Sequence, residues 1–248
     1  MSRALSSELL KLRTTRTTAA LVGSALLLVL LIVGVASATG GFSDEPNPGS
    51  DLLSIASLTP LFALVLGILA FGSEFRHGTI TPSLLVTPDR VRMLVAKLIV
   101  HFVAGLLLGL VTVVLALALI AGIFSVRDIE TGLSGSEAVE SIVGMALANA
   151  IYAALGVGLG ALIRNQVGAI VGSLAYIFVV EQLIQVIPGV DTAVEKFGFN
   201  GLTSALSLTT GDSSNTLSQV PSGLLLTVYA AVFLIAGAAV LRRRDISA

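Results

Sequence analysis

The feature that most constrains this chain is a series of six long apolar runs separated by polar segments. The runs cover residues 19–38, 52–72, 98–124, 138–163, 167–187 and 223–241. Each is close to the roughly 20 residues that an α-helix needs to cross the hydrocarbon core of a bilayer. Charged residues make up 12% of the chain, whereas soluble domains are about a quarter charged. The sequence therefore predicts an all-α integral membrane protein with six transmembrane helices in one domain, residues 1–248.

The positive charges predict how these helices are oriented. If both termini are cytoplasmic, 12 of the 14 lysines and arginines lie inside, and only Arg127 and Lys196 lie outside. Cytoplasmic loops of membrane proteins carry such an excess of Lys and Arg. We therefore expect a multi-pass protein of the cell membrane with an even number of spans and both ends in the cytoplasm.

The segment 73–97 is the longest charged stretch between two spans on the basic side. Gly78 allows a turn after the second span, and Thr81 followed by Pro82 is typical of a helix start. A short helix over 83–86 is expected to stop at Pro88. Asp89 in a first turn then favours a second helix that begins near Pro88 and continues without a break through the third span.

The residues before the first span have the pattern of an interfacial helix. Leu5, Leu9 and Leu12 recur at helical spacing, and the basic residues around them are Lys11, Arg13 and Arg16. Such a helix lies in the headgroup plane, with its basic side chains on anionic lipid. The alternative is an ordinary basic flank before a span.

Further details of the spans are predicted from proline and glycine. Pro60, within the second run, predicts a local kink, and 192–206, within the external segment 188–222, could form a short amphipathic or re-entrant helix. Three Gly-xxx-Gly pairs permit close helix contacts, although glycine is common in membrane helices in general. The pairs are Gly105 with Gly109, Gly156 with Gly160, and Gly168 with Gly172.

The chain shows little that could carry catalysis. It has no phosphate-binding loop of the Gly-xxxx-Gly-Lys-Ser/Thr type, no cysteine and two histidines, so we expect neither ATP hydrolysis nor a metal site. Ser134 lies in a Gly-x-Ser-Gly pattern, but the last span offers no histidine as its base. Glu181 is the acidic residue deep within a span, and we interpret it as structural or cavity-lining.

Several short motifs together resemble the permease subunits of type-2 ATP-binding-cassette (ABC) exporters. The resemblance covers essentially the whole chain, because five motifs occur in the right order among six spans. The motifs are Ser-Glu-Leu-Leu-Lys-Leu-Arg-Thr-Thr-Arg at 7–16, Glu-Phe-Arg-His-Gly-Thr at 74–79, Thr-Pro-Asp-Arg at 87–90 with Lys97, Gly-Leu-Gly-Ala-Leu-Ile-Arg-Asn at 158–165, and Arg-Arg-Asp at 243–245.

The resemblance implies a partner that supplies energy. Two such permeases, identical or related, would associate with two cytoplasmic ATPase subunits that bind ATP and Mg²⁺, and this chain itself would hold no cofactor. A coupling helix maps to 74–90, the N-terminal amphipathic helix to 2–17, and external re-entrant helices to 188–222. The residues implied at the ATPase contact are Glu74, Arg76, Gly78, Thr79, Arg90 and Arg92.

Two other classes remain open at this stage. An ion-coupled carrier or channel is the main alternative, and a membrane protein that transports nothing is the second. A basic loop can also be no more than the signal that sets orientation. The apolar spans favour an amphiphilic drug, peptide or lipid as the exported substrate, and nothing in the sequence indicates a nucleic-acid partner.

Overall fold

The computed structural model describes residues 1–40, 47–86, 89–208 and 216–243, and its regular structure within these ranges is entirely helical. In chain order the helices are α1 Ser2–Thr14, α2 Arg16–Thr39, α3 Pro48–Ser54, α4 Thr59–Arg76, α5 Ile80–Val86, α6 Arg90–Val126, α7 Gly135–Ile163, α8 Gln166–Ala175, α9 Glu181–Gln185, α10 Asp191–Phe197, α11 Phe199–Ser207 and α12 Gln219–Arg243.

Among the described residues, six helical stretches are long and apolar enough to cross a membrane, one at each predicted run. They are Arg16–Thr39, Pro48–Arg76, Arg90–Val126, Gly135–Ile163, Gln166–Gln185 and Gln219–Arg243. The third is longer than its apolar run because the helix begins at Arg90, as predicted from the start signal at Asp89. The predicted loop residues 44–46, the residues Thr87 and Pro88, and the terminal 244–245 lie outside the described ranges.

Two of the six stretches are not regular throughout. In the second, a 3-10 turn at Ile55–Leu58 separates α3 from α4, directly before Pro60 in the first turn of α4. Proline has no backbone N–H, and the first turn of a helix needs none, so Pro60 fits at the start of α4. The irregular turn lies where the kink was predicted. In the fifth, a π-helical turn at Tyr176–Val180 separates α8 from α9.

Helix α7 is the centre of the bundle. It is buried along most of its length and packs against α4, α6 and α12. A Cβ added to Gly156 would lie 2.1 Å from the carbonyl oxygen of Leu64, and one added to Gly105 would lie 2.6 Å from that of Asn149. These two Gly-xxx-Gly pairs thus lie at helix crossings, whereas a Cβ at Gly172 of the third pair meets nothing within 4 Å.

The described residues of the segment 188–222 contain two helices that lie wholly within it, which confirms helix over most of 192–206. They are α10 and α11, and they are separated at Gly198. Helix α11 packs on α7 and α12, with Leu202 and Leu206 buried. The side-chain amide of Gln219 donates to the carbonyl oxygen of Leu206 over 2.9 Å.

Contacts between helix ends define two ends of the bundle. At one, which we call the basic end, the Arg90 guanidinium donates to the carbonyl oxygen of Leu241, joining the start of α6 to the end of α12. At the opposite end, Arg127 donates to the carbonyl oxygens of Ser37 and Ala38 over 2.8 and 3.0 Å, joining the ends of α6 and α2. The chain turns from α1 into α2, from α4 into α5 and from α7 into α8 at the basic end.

Candidate functional site

The turn that follows α4 at the basic end is built around Gly78. Helix α4 ends at Arg76, and Gly78 has a φ of 66°, in the left-handed region that glycine adopts without a Cβ penalty. The Thr79 N–H then donates to the carbonyl oxygen of Glu74 over 2.9 Å. This closes the last turn of α4 and starts α5 one residue later. Gly78 is therefore placed as the turn residue that the sequence predicted.

Helix α5 is a short, largely uncovered element at this end. Ile80 is buried and anchors its first turn, while the Leu85 side chain is 80% exposed. Arg76 and Thr79 just before it are exposed too. The helix thus exposes an apolar side chain at the same end as the exposed Arg76, which is a surface that another protein could cover.

The start of α6 is capped firmly. The Asp89 carboxylate accepts hydrogen bonds from the backbone N–H groups of Val91 and Arg92 over 3.0 and 3.1 Å. An N-cap of this kind satisfies donors that have no partner inside the helix. Of the two arginines predicted to contact an ATPase, Arg92 is exposed, and Arg90 is half-buried through its bond to α12.

Four charged residues form a buried ion-pair cluster that joins α1, α4 and α6. The Lys97 ammonium lies 2.9 Å from Oε2 of Glu8 and 2.7 Å from Oε1 of Glu74. Lys11 contacts the same two carboxylates, over 2.8 Å to Glu8 and 2.7 Å to Glu74. The Lys97 side chain is 1% exposed and lies 5.1 Å from the centre of the Phe71 ring. Glu8, Lys11, Glu74 and Lys97 are called the ion-pair cluster below.

The ion-pair cluster keeps the α1 side chains charged. Burial works against ionisation of Glu8, but the attraction of Lys97 and the hydrogen bond from Lys11 outweigh it and hold the pKa of Glu8 below its ordinary value. Burial likewise opposes the charge of Lys11, yet the hydrogen bonds to Glu74 and Glu8 raise the pKa of Lys11. Both groups therefore remain ionised around neutral pH, and α1 is held to the bundle by charge.

A polar cavity of about 520 Å³ adjoins the ion-pair cluster. Its walls include Lys97, His101 and Ser73 and the turn between α1 and α2 at Thr15. Nδ1 of His101 lies 2.8 Å from the carbonyl oxygen of Lys97, so this nitrogen carries the proton and donates. The histidine is thereby fixed one turn above the buried lysine on α6.

The structure brings together some of the predicted site residues and separates others. Arg76, Gly78, Thr79 and Arg92 lie at the exposed surface of the basic end. Glu74 does not, because its carboxylate is 5% exposed and is occupied by two lysines. In this conformation it can position the turn but cannot touch a partner.

The predicted interfacial residues also fall in different places. Lys11 reaches into the ion-pair cluster, Arg13 is exposed on α1, and Arg16 is the first residue of α2. Leu9 and Leu10 point away from the bundle and are exposed. Helix α1 therefore contacts the bundle through the face that carries Glu8 and Lys11. Its outer face exposes Leu9, Leu10 and Arg13.

Glu181 lies far from these residues, at the opposite end. It is 3% exposed, and its Oε1 accepts a hydrogen bond from the backbone N–H of Asn200 over 2.8 Å. The carboxylate thus caps the start of α11 and supports the structural interpretation of this residue. The Asn200 side chain in turn donates to the carbonyl oxygen of Ile177 in the π-helical turn.

Sequence reasoning missed the part of the site that involves Glu8 and Lys97. A signal was present, because a lysine at the start of a membrane-length apolar run needs an anionic partner. Glu8 with Lys11 at i,i+3 was the nearest visible pair. Spacing alone could not show that Glu74, 23 residues before Lys97 in the chain, completes the cluster.

Comparison with known proteins assigns the chain to a family but not to an activity. No curated protein matches it. One family model, described as a protein of unknown function (DUF2705), matches residues 36–247, which include all of α3 to α12. Because this match covers most of the chain, the protein belongs to the DUF2705 family.

Proposed function

We propose that this chain is the membrane-spanning subunit of an ABC transporter and that a separate ATPase supplies the energy. The observation that carries the proposal is the arrangement at the basic end. Helix α5 presents an uncovered leucine there, and the next helix, α6, runs unbroken for 37 residues through the bundle. A short docking helix joined closely to a long rigid one is suited to passing a displacement into the membrane.

The transmission path follows from the contacts. A push on α5 reaches α6 across a few residues, and the Asp89 cap keeps the first turn of α6 intact. About two turns further along α6, the ion-pair cluster ties Lys97 to α1 and α4, so the three helices move together. An ATPase that binds one arrangement of these helices better than another would shift the equilibrium between them.

The contact set on this chain is Arg76, Gly78, Thr79 and Arg92, with α5 as the coupling helix. Glu74 acts as a positioning residue for the turn, and Arg90 ties the base of α6 to α12. The partners are two cytoplasmic ATPase subunits, which bind ATP and Mg²⁺, and a second permease subunit, identical or related. This chain is not itself catalytic.

The same proposal sets the orientation in the cell membrane. The basic end faces the cytoplasm with both termini, in keeping with the excess of Lys and Arg there. Helix α1 lies at the membrane surface, with exposed Leu9 and Leu10 in the headgroup region and Arg13 near lipid phosphate. Its opposite face is held to the bundle by Glu8.

The transported substrate is an amphiphilic drug, peptide or lipid, moved outwards. A groove of about 720 Å³ between α6, α7 and α12 supports an apolar substrate. Its walls are formed by side chains such as Phe102, Leu147 and Leu224, with Gln219 and Thr227 as polar members. Such walls offer few groups to orient a hydrophilic solute.

The coupling role is tested by placing a charge on α5. Leu85→Asp should abolish co-purification of the tagged chain with a phosphate-loop ATPase from its native membrane and remove substrate-stimulated ATP hydrolysis. An apolar side chain at the centre of a protein–protein contact contributes most to the binding free energy when water is excluded from it. A carboxylate at the same place opposes burial.

The matched control is Val126→Asp. Val126 is 84% exposed, close to the 80% of Leu85, but it ends α6 at the opposite end of the bundle. This variant should retain the ATPase. If Leu85→Asp also retains ATPase and stimulation, α5 is not the coupling helix. Transport by the isolated chain in liposomes under a proton or sodium gradient would instead support an ion-coupled carrier.

A further inference from the structure

A second cavity lies beneath the fifth span, and we call it the slot. Its volume is about 420 Å³, and its walls come from α4, α7, α8, the π-helical turn, α11 and α12. Along the fifth span it extends from Ala169 to Ile177, which is about 12 Å at 1.5 Å per residue. The slot thus runs from near the basic end towards the opposite end.

The fifth span is held to its neighbours at both ends of the slot. At the basic end Gln166 packs against Gly72, where an added Cβ would meet the glutamine side chain at 3.1 Å. At the opposite end, Asn200 and Glu181 join α11 to the π-helical turn. Between these points the small residues Ala169, Gly172 and Ser173 leave the space unfilled.

The end of the slot away from the basic end is aromatic. Phe199 forms part of its wall and contacts all three tyrosines of the chain. The ring centres lie 6.2 Å from Tyr152, 6.0 Å from Tyr176 and 5.4 Å from Tyr229. Ring faces carry negative electrostatic potential and attract cations. Tyr176 lines the slot as well, so two aromatic side chains form part of its wall.

A buried acidic side chain, Glu181, lies close to that same end. Oε1 of Glu181 binds the N–H of Asn200, the residue after Phe199, while Oε2 makes no hydrogen bond with any described residue. No Lys, Arg or His of the described ranges lines the slot.

We propose that the slot binds a lipophilic cation, which lies between α7 and α8 next to Phe199 and Tyr176 and near Glu181. Apolar walls exclude hydrophilic cations, while the aromatic rings and the carboxylate disfavour anions of the same shape. The inference rests on the proposed function in one respect, namely that the bound ligand is transported. Binding itself depends on this chain alone.

The test compares two ions of matched size and shape and opposite charge. Tetraphenylphosphonium and tetraphenylborate are dialysed to equilibrium against the purified full chain in an uncharged detergent, with protein-free micelles subtracted. We expect the cation to bind about tenfold more tightly than the anion, the size of a desolvated cation–π contact. Equal affinities, or tighter binding of the anion, would overturn the proposal.

Two variants locate the binding. Glu181→Gln keeps an acceptor for Asn200 but removes the charge, so the preference for the cation should fall severalfold; an unchanged preference contradicts the role of Glu181. Gly172→Phe adds a ring where no atom lies within 4 Å, and it should abolish cation binding. Gly122→Phe on α6, also with open space around it, should bind normally.

These outcomes separate the two proposals. Retained binding in Gly172→Phe, or an equal loss in Gly122→Phe, overturns the slot as the site. If binding is absent while the native chain still recruits its ATPase, only the cation ligand is discarded. If binding follows the expected pattern while no ATPase associates, the slot stands and the proposed function fails.

Discussion

At the scale of single residues, Lys97 is the most constrained charge in the protein. It is 1% exposed and is held by two carboxylates and the face of Phe71. Removing one partner of a buried ion pair costs far more than the pair contributes, because the other charge stays buried without compensation. The ion-pair cluster is therefore balanced at two lysines and two glutamates.

Lys97→Met should lower the free energy of unfolding by about 3 to 5 kcal/mol, because Glu8 and Glu74 lose their buried cation. Lys11→Met is the matched control. It removes a lysine that touches the same carboxylates, but its side chain is 46% exposed, so about 1 kcal/mol or less is expected. Unfolding in mixed micelles with increasing SDS measures both. Equal losses of unfolding free energy in the two variants would contradict the difference expected between Lys97 and Lys11. Combining Lys97→Met with Glu8→Gln and Glu74→Gln should restore part of the stability.

At this scale the sequence predicted the position of several site residues, but it predicted the wrong environment for one of them. Gly78 and Asp89 were predictable because turn and cap chemistry is local. Glu74 was expected in a contact surface, yet it is buried, because its neighbours come from α1 and α6. Which charge pairs with which is decided by helix packing, and local patterns carry no information about it.

At the scale of elements, continuity distinguishes the six spans. Helix α6 has 37 residues, about 55 Å at 1.5 Å per residue, and so exceeds a hydrocarbon core of about 30 Å. The second and fifth spans are broken by a 3-10 turn and a π-helical turn. The long helix is thus the element suited to carry a displacement, and the broken ones are suited to bend.

Close packing around α7 makes its glycines sensitive. In Gly156→Ala the new Cβ would lie 2.1 Å from the Leu64 carbonyl oxygen, so α4 and α7 must separate, at a cost of about 1 to 3 kcal/mol. Gly23→Ala on α2 meets nothing within 4 Å and should be neutral or slightly stabilising. Thermal unfolding of the two variants in detergent gives the comparison. A neutral Gly156→Ala would show that this crossing has room to relax.

At the scale of the whole molecule, the two ends of the bundle differ in charge. The chain has no cysteine, so single cysteines can report the side of the membrane without background. Arg76→Cys at the basic end should react with an impermeant maleimide only after cells are permeabilised. Ser136→Cys at the opposite end should react in intact cells. Labelling of Arg76→Cys from outside would reverse the proposed orientation and place α5 away from any cytoplasmic ATPase.

The sequence by itself determined the all-helical fold class, the six membrane-length helices and the start of α6. Hydropathy, proline and cap signals act over a few residues, so they can be read without knowing what packs against them. The short helices within 192–206 were also predictable, although their split at Gly198 was not.

Only the tertiary structure decided which helix is central, where the ion-pair cluster closes and where the slot lies. These features depend on contacts between residues far apart in the chain, such as Glu8 with Lys97 and Glu181 with Asn200. In a membrane, lipid-facing and protein-facing surfaces are equally apolar, so composition cannot tell a buried helix such as α7 from an exposed one. Packing of small residues and pairing of buried charges make that choice, and both appear only once the helices are assembled.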